Sequence, residues 1–246
     1  MVGYVCDYAP GHETGLHRHP RAQLLFATTG VMRVTTEAAL FTVPPGTGLW
    51  VPADTLHGVR MDGAVRMRAL FLRADAAASG PAATTVIALS PLLRELILTV
   101  CWEPVVWDAR GPIRLVAALV LHEIRRAGTR PLSLPACRDA RLVRVAAALL
   151  ADPADPRDLD DYAAIAGASV RTLARLFRSE TGMSFQQWRR QLRMTEALAR
   201  IARGEPPGRV AVAVGYASVP AFGVAFRETF GTTPAMAAPK LGSAVG

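Results

Sequence analysis

Four of the chain's five histidines, His12, His17, His19 and His57, fall within its first 57 residues. A neutral imidazole offers a lone pair to Zn, Ni, Cu or Fe, so such a cluster is a candidate metal or effector site. A different chemistry lies downstream. Arg171, Arg175 and Arg178 recur at spacings of three to four residues, offset from Leu173, Leu176 and Phe177. On a helix this spacing puts guanidinium groups on one face and apolar side chains on another. The planar guanidinium pairs bidentately with phosphate oxygens, so the stripe suits a helix that enters a DNA major groove.

The elements that must hold this stripe occur twice. Ser169, Leu173, Phe177, Arg178 and Gly182 correspond, at an offset of 49, to Ser218, Phe222, Phe226, Arg227 and Gly231. Gly167 and Gly215 stand in the equivalent turns, with one extra residue in the second copy. Each copy reads helix, glycine turn, serine N-cap, helix, closing glycine, which is a helix-turn-helix. The stretch from Ser184 to Arg203 reads as one connecting helix of roughly 30 Å, close to the ~34 Å between successive major-groove faces of B-DNA.

The front of the chain has another rhythm. Short β-like runs, Gln23 to Thr28, Val31 to Thr35, Leu40 to Val43, Leu49 to Val51 and Val65 to Leu72, are separated by Gly and Pro. They predict a small antiparallel barrel or sandwich, with Trp50 in its core. From Ser90 the period turns helical: Leu92, Leu93, Leu96, Ile97 and Val100, then Leu115, Val116, Leu119, Val120 and Ile124. These stripes serve either core packing or a homodimer seam. His122 on the second of these helices is assigned no chemistry. Thr129 to Ala136, with Pro131 and Pro135, reads as a linker, and the chain beyond Ala237 as an irregular end.

Composition narrows the partners. Of 246 residues 51% are apolar, which excludes wholesale disorder. Lys and Arg number 28 against 20 Asp and Glu, for a net charge of +8, and Lys240 is the single lysine. Ser169 to Arg209 hold nine of the basic residues and three acidic ones. Excess guanidinium favours phosphate-bearing partners and excludes a binder of basic surfaces that works through an acidic face. Three distant cysteines, Cys6, Cys101 and Cys137, form no CxxC pair and suit a reducing compartment. Neither a signal peptide nor an apolar run of ~20 residues is apparent. The expectation is a soluble, cytoplasmic, nucleoid-associated protein without a membrane partner.

With these residues in place, the chain resembles the AraC/XylS family of bacterial transcription regulators. The resemblance runs from Leu159 to Pro234 and rests on Ser169-Val-Arg-Thr-Leu-Ala-Arg-Leu-Phe177, Glu180-Thr-Gly-Met-Ser184, Gly215-Tyr216, Phe226-Arg227 and Phe230-Gly-Thr-Thr-Pro234. It implies base contacts from Arg171, Thr172, Ala174 and Arg175 in the first reading helix. In the second, the matching positions are Val219, Pro220, Ala221, Gly223 and Val224, which depart from the family's polar choices and offer only contact with thymine methyls. Phosphate contacts are expected from Ser169, Arg178, Arg189, Arg190, Ser218 and Arg227. The last stretch, Pro234-Ala-Met-Ala, lacks the family's usual aromatic-basic ending. The resemblance further implies contact with RNA polymerase and an activator role.

The histidines also fall into a pattern. Gly11, His17, His19, Gln23 and Gly30, followed by Gly46, Pro52, Asp54 and His57, carry the spacing of the two cupin motifs. Residues 5 to 73 therefore resemble a cupin barrel. In that family His-x-His, a Glu and a later His hold a divalent metal. Here Gln23 stands at the Glu position, Asp54 at the second motif's internal glycine, and Met61 at its last Asn. The resemblance leaves His17, His19 and His57 as a three-imidazole set for Zn, Ni, Cu or Fe, and those three with Gln23 as an effector pocket. The expected fold is α+β in two domains: a cupin-like barrel at 1–75, a helical linker or dimerisation segment at 76–136, and an all-α tandem helix-turn-helix at 137–237. The expected function is a DNA-binding transcription regulator, not an enzyme, responsive to a small molecule or metal. The alternatives are a metal-dependent cupin enzyme of dioxygenase or isomerase type, or a metal-sensing regulator.

Overall fold

The front of the chain forms strands β1 (Val2–Tyr8), β2 (Ala22–Thr36), β3 (Ala39–Val43), β4 (Thr47–Val51) and β5 (His57–Leu72), with burial alternating along much of β5 and β4 buried throughout. A short helix α1 (Ala74–Ala77) and strand β6 (Thr85–Ala88) follow, then α2 (Pro91–Trp102), α3 (Ile113–Arg126) and the short strand β7 (Ser133–Pro135). The remainder is helical: α4 (Ala140–Ala151), α5 (Leu159–Ala166), α6 (Val170–Thr181), α7 (Phe185–Ala202), α8 (Pro207–Ala213), α9 (Val219–Phe230) and α10 (Pro234–Ala237). This is a computed structural model, and it describes residues 1–78, 80–104, 106 and 111–238. The irregular end expected beyond Ala237 lies, from residue 239 on, outside them.

The chain divides into two units. Met1–Glu37 and Phe41–Ser133 form one; Ala38–Leu40 join the chain from Leu134 onward in the other. In the first, β5 pairs antiparallel with both β1 and β2, β2 pairs with β4, and β4 with β6. The two runs expected at Gln23 to Thr28 and Val31 to Thr35 are one strand. Its register shifts between Ala27 and Val31, where Gly30 adopts φ +80° and a Cβ would lie 2.2 Å from the Ala64 carbonyl oxygen. The glycine that looked like a terminator is a bulge.

Helices α2 and α3 belong to this first unit. Leu93, Ile97, Val100, Val120 and Ile124 share one core with Leu24, Phe26, Trp50, Leu70 and Leu72 of the sheet. The stripes read from sequence are thus core-forming in part, while Leu92, Leu115 and Leu119 stay exposed. Trp50 is buried, and its indole N–H donates to the Pro81 carbonyl at 2.8 Å.

The second unit contains two separate cores that share one helix. The first half of α7 gives Phe185, Trp188 and Leu192 to a core with Leu173, Leu176 and Phe177 of α6 and Tyr162 of α5. Its second half gives Met194, Ala197 and Ile201 to a core with Val210 of α8 and Phe222 and Phe226 of α9. The ends of α7 fall where the sequence put them, with Ser184 as N-cap in a capping box with Gln187, and Arg203 as C-cap. Thr233 caps the four-residue α10.

Candidate nucleic-acid interface and imidazole cluster

The chain path brings the three motif histidines together. His17 and His57 exchange both backbone hydrogen bonds at 2.9 Å, which ties the segment before β2 to the start of β5. Asp54 takes the left-handed conformation the family's glycine would hold, at φ 59°, and its amide donates to the His19 carbonyl at 2.9 Å. Asp is one of the few side-chain-bearing residues that enter this region cheaply, so the substitution keeps the turn. The rings of His17 and His19 lie 4.4 and 5.2 Å from that of His57, centroid to centroid, and one ligand atom from each ring falls within 4.8 Å of the others.

Each ring is oriented through Nδ1. His57 meets the Thr55 carbonyl at 2.8 Å, His19 the Arg21 carbonyl at 2.6 Å, and His17 the Gly15 carbonyl at 3.1 Å. A carbonyl only accepts, so each Nδ1 carries a proton; in the neutral ring that leaves the lone pair on Nε2, as metal-ligating imidazoles are usually held. His57 is fully buried and its Nε2 has no hydrogen-bond partner. Burial first, then the neighbouring His17 and His19, push its pKa below the ordinary histidine value. Gln23 is buried with its Oε1 3.4 Å from His19 Nε2. A carboxamide oxygen only accepts, so with the lone pair on Nε2 this contact becomes a hydrogen bond when the amide is turned to present its NH2.

In the helical unit the two copies share a frame. Gly167 and Gly215 sit at φ 65° and 76°, and Gly182 and Gly231 at 70° and 69°. Ser169 accepts from the amide of Thr172 at 3.2 Å, and Ser218 from that of Ala221 at 3.3 Å. Arg171, Arg175 and Arg178 are exposed on α6; Thr172 and Ala174 are half-buried beside them. On α9 the exposed residues are Val219, Pro220, Ala221, Val224, Arg227 and Glu228, with Gly223 half-buried. Val219 is 49% and Val224 60% exposed, an apolar face where the first copy has cations.

The cation-rich stretch divides in two. Arg189 donates to the Arg157 carbonyl and to Gln186, each at 2.8 Å, and its guanidinium lies over the Phe185 ring. Arg190 pairs with Glu228 of α9. Arg193 donates to three backbone carbonyls, and Arg200 and Arg203 pair with Glu196 and Glu205. Among the described residues, Arg171, Arg175, Arg178, Arg209 and Arg227 have no ion pair or side-chain hydrogen bond. Two of the arginines expected to meet phosphate, Arg189 and Arg190, are therefore engaged inside the fold.

Sequence reasoning passed over Arg193 and the knot it grips. Asp155 is 4% exposed; its carboxylate pairs with Arg157 and accepts from the Tyr162 hydroxyl at 2.7 Å. The Arg157 guanidinium, foremost, holds that carboxyl well below the usual range. The available signal was the four-residue spacing of Arg189 and Arg193, which puts both on one face of α7.

Among the described residues no helix is long and apolar enough to cross a membrane. A cupin domain family matches residues 4–73, and a helix-turn-helix domain family matches residues 162–237. The chain is 31% identical over 219 residues to the HTH-type transcriptional regulator NimR of Escherichia coli, a match covering 89% of this chain and 80% of that protein. It is 42% identical over 101 residues to the HTH-type transcriptional regulator RipA of Corynebacterium glutamicum, a match covering 41% of this chain and 30% of RipA's length. A solved structure of ToxT from Vibrio cholerae aligns at a TM-score of 0.40 and 10% identity over 95% of this chain and 96% of that one.

Proposed function

The chain belongs to the AraC-type family of helix-turn-helix transcription regulators, and from that premise we propose that its cupin domain senses a metal or a metal-bound small molecule and thereby biases how the helical domain holds promoter DNA. The observation that carries this reading is the buried, unpartnered Nε2 of His57, facing two further imidazoles whose Nδ1 protons are likewise tied to backbone carbonyls. An orphaned buried acceptor costs about 1–3 kcal/mol unless a ligand takes it up. The donor set fits Zn, Ni, Cu or Fe, held by His17, His19 and His57, with Gln23 beside His19. When bound, the metal supplies an electrophilic point at which an effector's donor atoms complete the coordination shell.

Gln23 also favours sensing over catalysis. A carboxamide cannot take up a proton as a carboxylate can, so no carboxylate base stands at that position. On the DNA side, Arg171, Thr172, Ala174 and Arg175 meet base edges from α6, and Val219, Pro220, Ala221 and Val224 meet them from α9. Ser169, Arg178, Ser218 and Arg227 meet phosphates, whereas Arg189 and Arg190 must first leave their partners in the fold. Residues 1–75, 76–136 and 137–237 act as sensor, connection and reader in a cytoplasmic activator that dimerises and contacts RNA polymerase.

The test is metal analysis of the purified full-length protein beside a His17→Ala/His57→Ala variant, with affinity for a selected promoter duplex measured before and after chelation. The expected result is about one metal per chain in the wild type, none in the variant, and an affinity change on chelation in the wild type only. A metal-free wild type whose DNA affinity ignores added metal would overturn metal sensing and leave an organic effector. Turnover of a small molecule by the metal-loaded barrel would overturn the non-enzymatic assignment.

A further inference from the structure

Arg193 stands at the seam between the two cores of the helical unit. The residue before it, Leu192, is buried in the core of the first copy, and the one after it, Met194, in that of the second. Its guanidinium leaves both cores sideways. Nε donates to the Pro153 carbonyl at 2.8 Å and Nη2 to the Asp155 carbonyl at 3.2 Å, both in the segment leading into α5. Nη1 donates to the Gly215 carbonyl at 3.1 Å, in the turn between α8 and α9. One rigid planar fork thus spans both copies.

The surroundings are built for that fork. Gly215 combines φ +76° with a position where a Cβ would meet Arg193 Nη2 at 2.6 Å and the Ala154 Cα at 2.9 Å, so this turn accepts no side chain. The 153–157 segment is itself fixed by the Asp155 carboxylate on Arg157 and Tyr162 and by Arg189 on the Arg157 carbonyl. A second cross-copy contact, the ion pair of Arg190 with Glu228, is about half exposed on both sides and is weakened by solvent. Arg193 is half-buried and finds carbonyls rather than a mobile carboxylate, so its bonds are short-range and geometrically exacting.

We propose that Arg193 is a positioning residue for two-site DNA reading: it locks the turn of the second copy onto the segment leading into the first, and so sets the offset between the reading helices α6 and α9. The inference rests on the DNA-reading assignment above. A lever of this kind matters because one inserted base pair shifts the second half-site by about 3.4 Å and roughly 34°, which a rigid pair of reading heads cannot follow.

Two measurements on the full chain test it. Hydrogen exchange compares wild type with Arg193→Gln and needs no DNA. The amides of Ala154, Asp155 and Arg157 and those of 214–217 are expected to exchange about tenfold faster in the variant, with α6 and α9 unchanged; exchange raised throughout the unit, or nowhere, would overturn the clamp. The second uses a duplex recovered from a random 30-base-pair pool by the wild type, the same duplex with one base pair inserted between half-sites, and each half-site alone. Wild type should lose at least tenfold on insertion. Arg193→Gln should bind the parent duplex about tenfold more weakly, lose no more than twofold on insertion, and match wild type on single half-sites. Arg193→Lys, which keeps the charge but not the fork, should fall between them, and it carries the comparison if the glutamine variant does not fold. A wild-type insertion penalty in both variants, or equal losses on single half-sites, would refute the positioning role. If no duplex is recovered, the DNA-reading assignment fails and the exchange result alone decides the clamp.

Discussion

The two helix-turn-helix copies are alike where they fold and unlike where they face solvent. Both enter the second helix through a left-handed glycine and a serine cap, bury an aromatic residue eight positions after that serine, and stop at a left-handed glycine. Yet Arg171 and Arg175 on α6 are matched on α9 by Pro220 and Val224. Backbone geometry constrains caps, turns and core positions tightly, because each has few acceptable side chains. The reading face carries no such duty to the fold and is free to take on chemistry. The first copy therefore presents guanidinium donors on this face, and the second an apolar surface.

The largest effects should show that the copies are also separate in stability. Phe177→Ala and Phe222→Ala each remove a fully buried ring and should cost about 3–5 kcal/mol. Because Phe177 packs with Trp188 and Phe185, and Phe222 with Phe226 and Tyr216, each loss should stay local. Hydrogen exchange should rise in α5 and α6 for the first variant and in α8 and α9 for the second. Equal loosening of both copies would mean that α7 transmits the damage and that the two cores act as one.

Next in size is the difference in reading. Arg175→Ala should cost about 1–3 kcal/mol of DNA affinity and relax specificity at one base pair. Val224→Ala should cost no more than about 1 kcal/mol, the scale of a lost methyl contact. Replacing thymine by uracil in the second half-site removes the methyl group alone and should reproduce the Val224 effect. In the first half-site the same replacement should change little. A Val224 effect that exceeds the Arg175 effect would reverse the comparison.

A third contrast separates free from engaged cations. Arg178→Ala or Arg227→Ala should lower the slope of log affinity against log salt by about 1, as expected for one lost phosphate contact. Arg190→Ala should lower the slope by less than half as much, since its guanidinium faces the Glu228 carboxylate. A slope change for Arg190 equal to that for Arg178 would show that DNA draws it out of its pair.

What the sequence made legible follows the same line. The serine caps, the turn glycines, the limits of α7 and the convergence of His17, His19 and His57 were all readable, because each depends on residue type at short, fixed spacing. Strand β1 and the continuity of β2 through Gly30 were not, and the seating of α2 and α3 on the sheet was only one of two readings, because all three depend on partners far along the chain. Most telling are Arg189, Arg190 and Arg193. Their local density suggested a DNA-facing surface, but their partners are backbone carbonyls and a glutamate 22 to 40 residues away, and a carbonyl leaves no mark in a sequence.

The smallest effect concerns the serines that open both reading helices, which have two proposed jobs at once. Ser169 and Ser218 cap their helices, and a cap lost to alanine costs about 1 kcal/mol, while a change to glycine costs only a few tenths. Serine to glycine therefore removes the hydroxyl with little loss of helix, and what remains in DNA affinity is the phosphate contact. Ser169 should show the larger effect of the two, since its hydroxyl also lies 2.9 Å from that of Thr172 and is held in place. Melting and DNA titration of Ser169→Gly and Ser218→Gly read the two jobs separately. Wild-type affinity in both variants would confine these serines to capping, and with them the last polar contact that the second copy's reading helix offers at its leading end.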